Sequence, residues 1–142
     1  MAARVKSAIS SAYPCTRRCI RRQRDLFLGR LFELPWSIAS NGGHGDSRHP
    51  GNANVQFAGF SDSDLLGVLQ PNLAASTGSA CASGIPEPSH VLRAIGLTNN
   101  QAENSLRFCV GRYTTDADIL EAVELIAAAL KKLSAAGIRQ AG

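Results

Sequence analysis

Residues 105–133, SLRFCVGRYTTDADILEAVELIAAALKKL, hold a short strand followed by a long helix. The first five are apolar except for Ser105 and Arg107, and residues 106–110 read as the strand. Thr115, with Asp118 three residues later, then marks a helix start. Beyond it Ile119, Val123, Ile126, Leu130 and Leu133 recur at spacings of four, three, four and three. That is one apolar stripe on a helix, and it predicts burial in a core rather than a partner groove.

Working toward the N-terminus, the same punctuation divides the rest of the chain. A polar helix is predicted near residues 101–104, and Ser89 caps a short helix, SHVLRAI, that ends at Gly96. Residues 78–88 (GSACASGIPEP) form a small-residue loop closed by two prolines, and residues 73–77 a short strand. Ser61 opens a helix with Asp64 three residues on, and Pro71 follows its end. Residues 54–58 predict a strand with Val55 and Phe57 on one face, and residues 37–51, with four glycines and a proline, predict a loop. In residues 24–34, apolar side chains at 27, 28, 31 and 34 have helical spacing, and Pro35 stops the helix. Helices and strands alternating in this order predict an α/β domain, a small sheet packed with helices.

A length of 142 residues suits one ordinary domain, and 44% hydrophobic with 18% charged residues is enough for a core. No apolar run approaches the roughly 18 residues that span a bilayer, so a membrane-spanning protein is excluded. The net charge of +4 is unevenly spread. Residues 1–24 carry seven basic side chains and no acid, while the remainder carries eight basic against eleven acidic. A nucleic-acid surface requires a basic face on the folded body, which here is net acidic, so no nucleic-acid partner is expected. The division places a basic tail at residues 1–23 and a folded domain at 24–142. The tail, rich in Ser, Ala and Arg, has a composition that fits a mitochondrial presequence, a disordered solvated tail, or an upstream stretch with no evolved role. Four cysteines without a hydrophobic signal core read as a reducing compartment, the cytoplasm, or the mitochondrion if the tail is an import signal.

The chemistry-bearing residue is Cys81, in STGSACASG at 76–84. A thiol among Gly, Ala and Ser has no bulky neighbour to shield it, and Cys81 is the candidate nucleophile. Its reactivity also requires a lowered thiol pKa, which composition does not supply. Cys109, among the apolar residues of LRFCV, is expected to pack. Arg107 reads as a surface residue of its strand or as a planar fork for a carboxylate. Cys15, Cys19, His44 and His49 fail as a zinc finger, since 24 residues separate the halves instead of about 12–15. Around Asn41, Gly42 and Gly43 there is neither a phosphate-loop lysine nor a dinucleotide fingerprint, so a turn is expected. His90, in the first turn of its helix, is expected to be partly exposed.

Three motifs, STGSACASG (76–84), EPSHVLRAIGL (87–97) and SLRFCVGRYTTDADI (105–119), stand in an order and at intervals that resemble the C-terminal segment of cysteine desulfurases. NANVQF (52–57) fits the strand before them. These are the NifS/IscS-like branch of the class V aminotransferases, and the resemblance covers residues 24 to 133. It implies the C-terminal small domain of a fold-type I enzyme dependent on pyridoxal phosphate. By position, Cys81 matches the loop cysteine that takes sulfur from L-cysteine as a persulfide, releasing alanine. Arg107 matches the arginine that holds the substrate carboxylate. An iron–sulfur scaffold or another sulfur acceptor is the implied partner. The lysine that binds pyridoxal phosphate, in a Ser-x-His-Lys context within the large domain, has no counterpart here: Lys6, Lys131 and Lys132 are the lysines, none in that context. The resemblance therefore implies a chain inactive without a cofactor domain on another chain. The alternative is a non-catalytic module in which Cys81 accepts a persulfide made elsewhere.

Overall fold

The structure, a computed structural model, describes residues 17–43, 48–77 and 89–138. Its elements are α1 (Arg17–Phe32), β1 (Ile38–Ser40), β2 (Asn52–Phe57), α2 (Asp62–Leu69), β3 (Ser76–Thr77), α3 (His90–Ala94), α4 (Asn99–Glu103), β4 (Ser105–Cys109) and α5 (Asp116–Ala135). The four strands form one antiparallel sheet in the order β1-β2-β4-β3. An α/β domain with a small sheet is therefore present, as the alternation predicts.

The two-residue strand period sorts the sheet into two faces. Ala53, Val55 and Phe57 of β2 and Leu106 and Phe108 of β4 are buried, and they form the core with α1, α2 and α5. The Phe108 ring sits edge-on to Phe27, centroids 5.3 Å apart, and to Phe57 at 6.4 Å. From the apolar stripe of α5, Ile119, Ile126, Leu130 and Leu133 are buried, and Val123 is partly buried against the same core.

Several boundaries differ from the sequence expectation. The first helix begins at Arg17, not at residue 24, so the expected edge between tail and domain falls inside α1. Its first turns are tied to the start of α5. Arg22 Nη2 donates to both carboxylate oxygens of Asp116, at 2.7 and 3.0 Å, and the Gln23 side-chain amide donates to the Thr114 carbonyl. The predicted 37–51 loop contains β1, which pairs Ile38, Ala39 and Ser40 with Phe57, Gln56 and Val55. The strand predicted at 73–77 is confined to Ser76 and Thr77. At the start of α2 the Ser61 side chain makes no cap bond and instead meets the Ser63 hydroxyl at 2.7 Å.

The caps of the later helices follow the sequence. The Leu92 N–H donates to the Ser89 hydroxyl at 3.4 Å, and α3 is followed by Gly96 at φ 97°, a left-handed turn that glycine adopts without strain. Thr115 and Asp118 form a reciprocal capping box: the Asp118 N–H donates to the Thr115 hydroxyl at 3.2 Å, and the Thr115 N–H to the Asp118 carboxylate at 2.8 Å. The same device, Thr98 with Gln101, opens α4. Thr115→Ala is expected to lower unfolding stability by about 1 kcal/mol, read from urea melts. The Thr115 backbone N–H, and then its side chain, hold the Asp118 carboxyl below the usual carboxylate range. Because that pKa is depressed by folding, the contribution is complete above the unfolded carboxylate pKa and is lost as pH falls through the folded value. Asp118→Asn should accordingly flatten the acid limb of a stability–pH curve.

Candidate functional site

The polar face of the sheet, opposite the core, is set by the alternate residues of the same strands. Asn54 lies across from Arg107, Gln56 from Ser105 and Asn52 from Cys109. On the other side of β4, Ser76 of the edge strand β3 pairs with Arg107. Arg107 is exposed, and its Nε donates to the Ser76 hydroxyl at 3.2 Å. That bond engages one of five N–H donors. Among the described residues no hydrogen bond from its two terminal nitrogens is present. A guanidinium fork holds a carboxylate by two parallel charge-assisted hydrogen bonds.

Next to this arginine the face is rigidly built. The buried Asn41 side chain donates from Nδ2 to Asn54 Oδ1 at 2.7 Å and to Ser105 Oγ at 2.8 Å. Ser105 Oγ in turn donates to the Gln101 carbonyl at 2.7 Å. The chain after β1, the two central strands and α4 are thereby locked together, fixing the strand from which Arg107 projects. Sequence reading finds Arg107 but not Ser76, Asn41 or Asn54. The signal for Asn54 was present, since Asn52, Asn54 and Gln56 alternate with Ala53, Val55 and Phe57. Ser76 carries no such signal, being 31 positions from Arg107 along the chain.

The other predicted residues separate. Cys81 lies outside the described residues, as do Cys15 and His44. Cys109 is exposed rather than packed. In a strand whose even-numbered residues face the core, residue 109 falls on the face of residue 107, and apolar neighbours in sequence are not neighbours in space. Cys109 also borders a cavity of about 410 Å³ at the C-terminal end of β4, with Leu73, Phe108, Tyr113 and Asp118. His90 is exposed, as expected. Among the described residues no group of three His, Cys, Asp or Glu side chains is placed to hold a metal. Among them, too, no helix is long and apolar enough to cross a membrane.

The described residues do not fit pyridoxal phosphate. Lys131 and Lys132 are exposed on the last turns of α5, in the helical layer on the core side of the sheet, while Arg107 lies on the opposite face. Lys6 is outside the described residues. No step of cofactor chemistry is assigned to these side chains.

No family model matches the chain. Among curated proteins, it is 40% identical over 114 residues to the cysteine desulfurase IscS of Vesicomyosocius okutanii subsp. Calyptogena okutanii, covering 80% of this chain and 28% of that protein. To the cysteine desulfurase IscS of Vibrio cholerae serotype O1 it is 51% identical over 90 residues, 63% of this chain and 22% of the other. To that of Rickettsia typhi it is 40% identical over 109 residues, with coverages of 77% and 26%. The chain thus spans about a quarter of the length of these relatives. Among solved structures, a NifS-like protein from Rickettsia africae superimposes with a TM-score of 0.64 at 19% identity, over 81% of this chain and 29% of the other. A second NifS-like protein gives 0.67 at 19%, over 82% and 28%. At that identity the superpositions establish the fold.

Proposed function

From a chain related to the cysteine desulfurases over about a quarter of their length, we propose the sulfur-accepting, C-terminal part of such an enzyme, with L-cysteine as the sulfur source. Arg107 holds the carboxylate of L-cysteine, and the thiol of Cys81 receives its sulfur. The overall change balances as thiol plus L-cysteine giving persulfide plus L-alanine: one S–S bond forms, the Cβ–S bond breaks, and the carbon takes up a proton. Pyridoxal phosphate, when bound by a cofactor domain, supplies the electron sink for that cleavage. The persulfide then passes to a sulfur acceptor such as an iron–sulfur scaffold, in a reducing compartment, the cytoplasm, where free thiols persist.

The observation that carries the proposal is the pairing of Arg107 with Ser76. Arg107 is exposed beside the edge strand that leads into the Cys81 segment, four residues past Thr77, which supports a role in carboxylate binding. A four-residue tether reaches no further than about 14 Å, the scale of one bound amino acid and its neighbours.

Lys131 and Lys132, exposed on α5 away from the face of Arg107, suit a second reading, a persulfide relay without chemistry of its own. Mixing the chain with a desulfurase cofactor domain that lacks this segment separates the two. L-alanine formed from L-cysteine only in the mixture supports the enzyme part, whereas no alanine, with sulfur still taken by Cys81 from a small persulfide, supports the relay. In an active mixture, Arg107→Lys keeps the charge but loses the planar fork. It is expected to raise KM for L-cysteine about tenfold or more, with a smaller change in kcat. An unchanged KM would remove Arg107 from carboxylate binding.

A further inference from the structure

Between α1 and the end of β1 lies a cleft of about 260 Å³ whose walls include Arg21, Arg24, Arg48, Asp25 and Ser40. Among the described residues, the guanidinium groups of Arg24 and Arg48 share this cleft with the carboxylate of Asp25. Arg24 is only 5% exposed, unusual for a residue type that is almost never fully buried unless paired. Its Nε and Nη2 both donate to a single oxygen of Asp25, Oδ1, at 2.9 and 2.6 Å. Its remaining nitrogen, Nη1, is buried with no hydrogen-bond partner among the described residues. Arg48 is anchored across the cleft, donating from Nη1 to the Ser40 hydroxyl at 3.1 Å and from Nη2 to the Asn41 carbonyl. Among the described residues those two bonds engage two of its five donors. Burial, and next the positive charge of Arg24, push the Arg48 pKa down, so the two cations oppose each other in a partly dry space. Asp25 compensates Arg24 but is a single carboxylate beside two cations, and holding the second guanidinium in a partly dry space costs less when an anion completes the cluster.

We propose that this cleft is a binding site for a small tetrahedral oxyanion of the phosphate class, held by Arg24 Nη1 and the guanidinium of Arg48, with Arg21 adding charge at the wall. A carboxylate is saturated by one planar fork, whereas a tetrahedral dianion offers oxygens to forks arriving from different directions. The volume is below that of pockets for drug-sized ligands, which suits an inorganic anion with a few waters. Nothing in the site depends on the sulfur-transfer reading, since Arg107 and Cys81 take no part in it.

The test is titration of the purified full chain with inorganic phosphate at fixed ionic strength, with potassium chloride as the control salt. Calorimetric binding and the thermal midpoint are both followed. Phosphate should bind saturably and raise the midpoint, as any ligand of the native state does. Arg24→Gln and Arg48→Gln should each weaken binding about tenfold or more, with Arg48→Lys falling between them and the unsubstituted chain. Should Arg24→Gln fail to fold, Arg48→Gln and Arg21→Gln, checked by circular dichroism, carry the comparison. Overturning the site would take either of two results: phosphate doing no more than chloride, or binding that Arg48→Gln retains in full. In both cases Asp25 would be counter-charge enough for the cleft.

Discussion

Cys81→Ser is expected to lower the chain's uptake of sulfur from a small persulfide donor by about two orders of magnitude or more, because serine lacks the thiolate that attacks and carries the sulfur. The proper comparison is Cys109→Ser, which should leave uptake near that of the unsubstituted chain. Cys109 is a strong control because it is not hidden: it is exposed on the same sheet face as Arg107. Cys19, exposed on α1, is a second. If exposure alone set reactivity, these thiols would take sulfur too, and loss on Cys81→Ser would be partial. A mass-spectrometric count of added sulfur per chain distinguishes the cases.

The second large effect concerns stability. Phe108→Ala is expected to cost about 3–5 kcal/mol, since it removes the ring that meets both Phe27 and Phe57 at the centre of the sheet. For a domain of this size that lowers the thermal midpoint by roughly 10–30 °C. The adjacent Arg107→Ala, on the exposed face, should stay within about 0.5 kcal/mol of the unsubstituted chain. Neighbours in sequence with such different costs are a direct readout of the strand period. Equal costs would contradict the assignment of faces in β4.

What was legible in the sequence was local. The stripe of α5, the caps at Thr115 and Ser89, and the inward faces of Val55 and Phe57 depend on residues within a turn or a strand of one another. What was not legible depends on distant partners. β1 has the composition of a loop, and only pairing with β2 makes it a strand. The first turns of α1 are strongly basic, and contacts with Thr114 and Asp116, more than 90 residues away, hold them in place. Arg22 and Asp116 remain largely exposed, so their ion pair contributes no more than about 1 kcal/mol. The burial of Gln23, Arg24, Phe27 and Leu28 is the stronger reason the helix continues inward.

The site divides along the same line. Arg107 could be singled out as a charged residue in an apolar strand, but its partner Ser76 emerges only from the register of β3 on β4. The error over Cys109 has a simpler origin. Apolar neighbours suggested burial, whereas alternation of Leu106, Phe108 and Val110 assigns residue 109 to the outer face. The buried Arg24 was likewise invisible, because a basic residue at a predicted helix start reads as solvent-facing. It is the sheet and its following loop that bring Arg48 opposite it.

The central claim, that sulfur is received at Cys81, is tested most directly by following where it arrives first. The unsubstituted chain is exposed briefly to a small persulfide donor, quenched with an alkylating agent, and each cysteine-containing peptide is examined for the added sulfur. The account predicts that Cys81 carries it at the earliest times, ahead of the exposed Cys19 and Cys109. Sulfur appearing first on Cys109 or Cys19, or equally on all three, would contradict it.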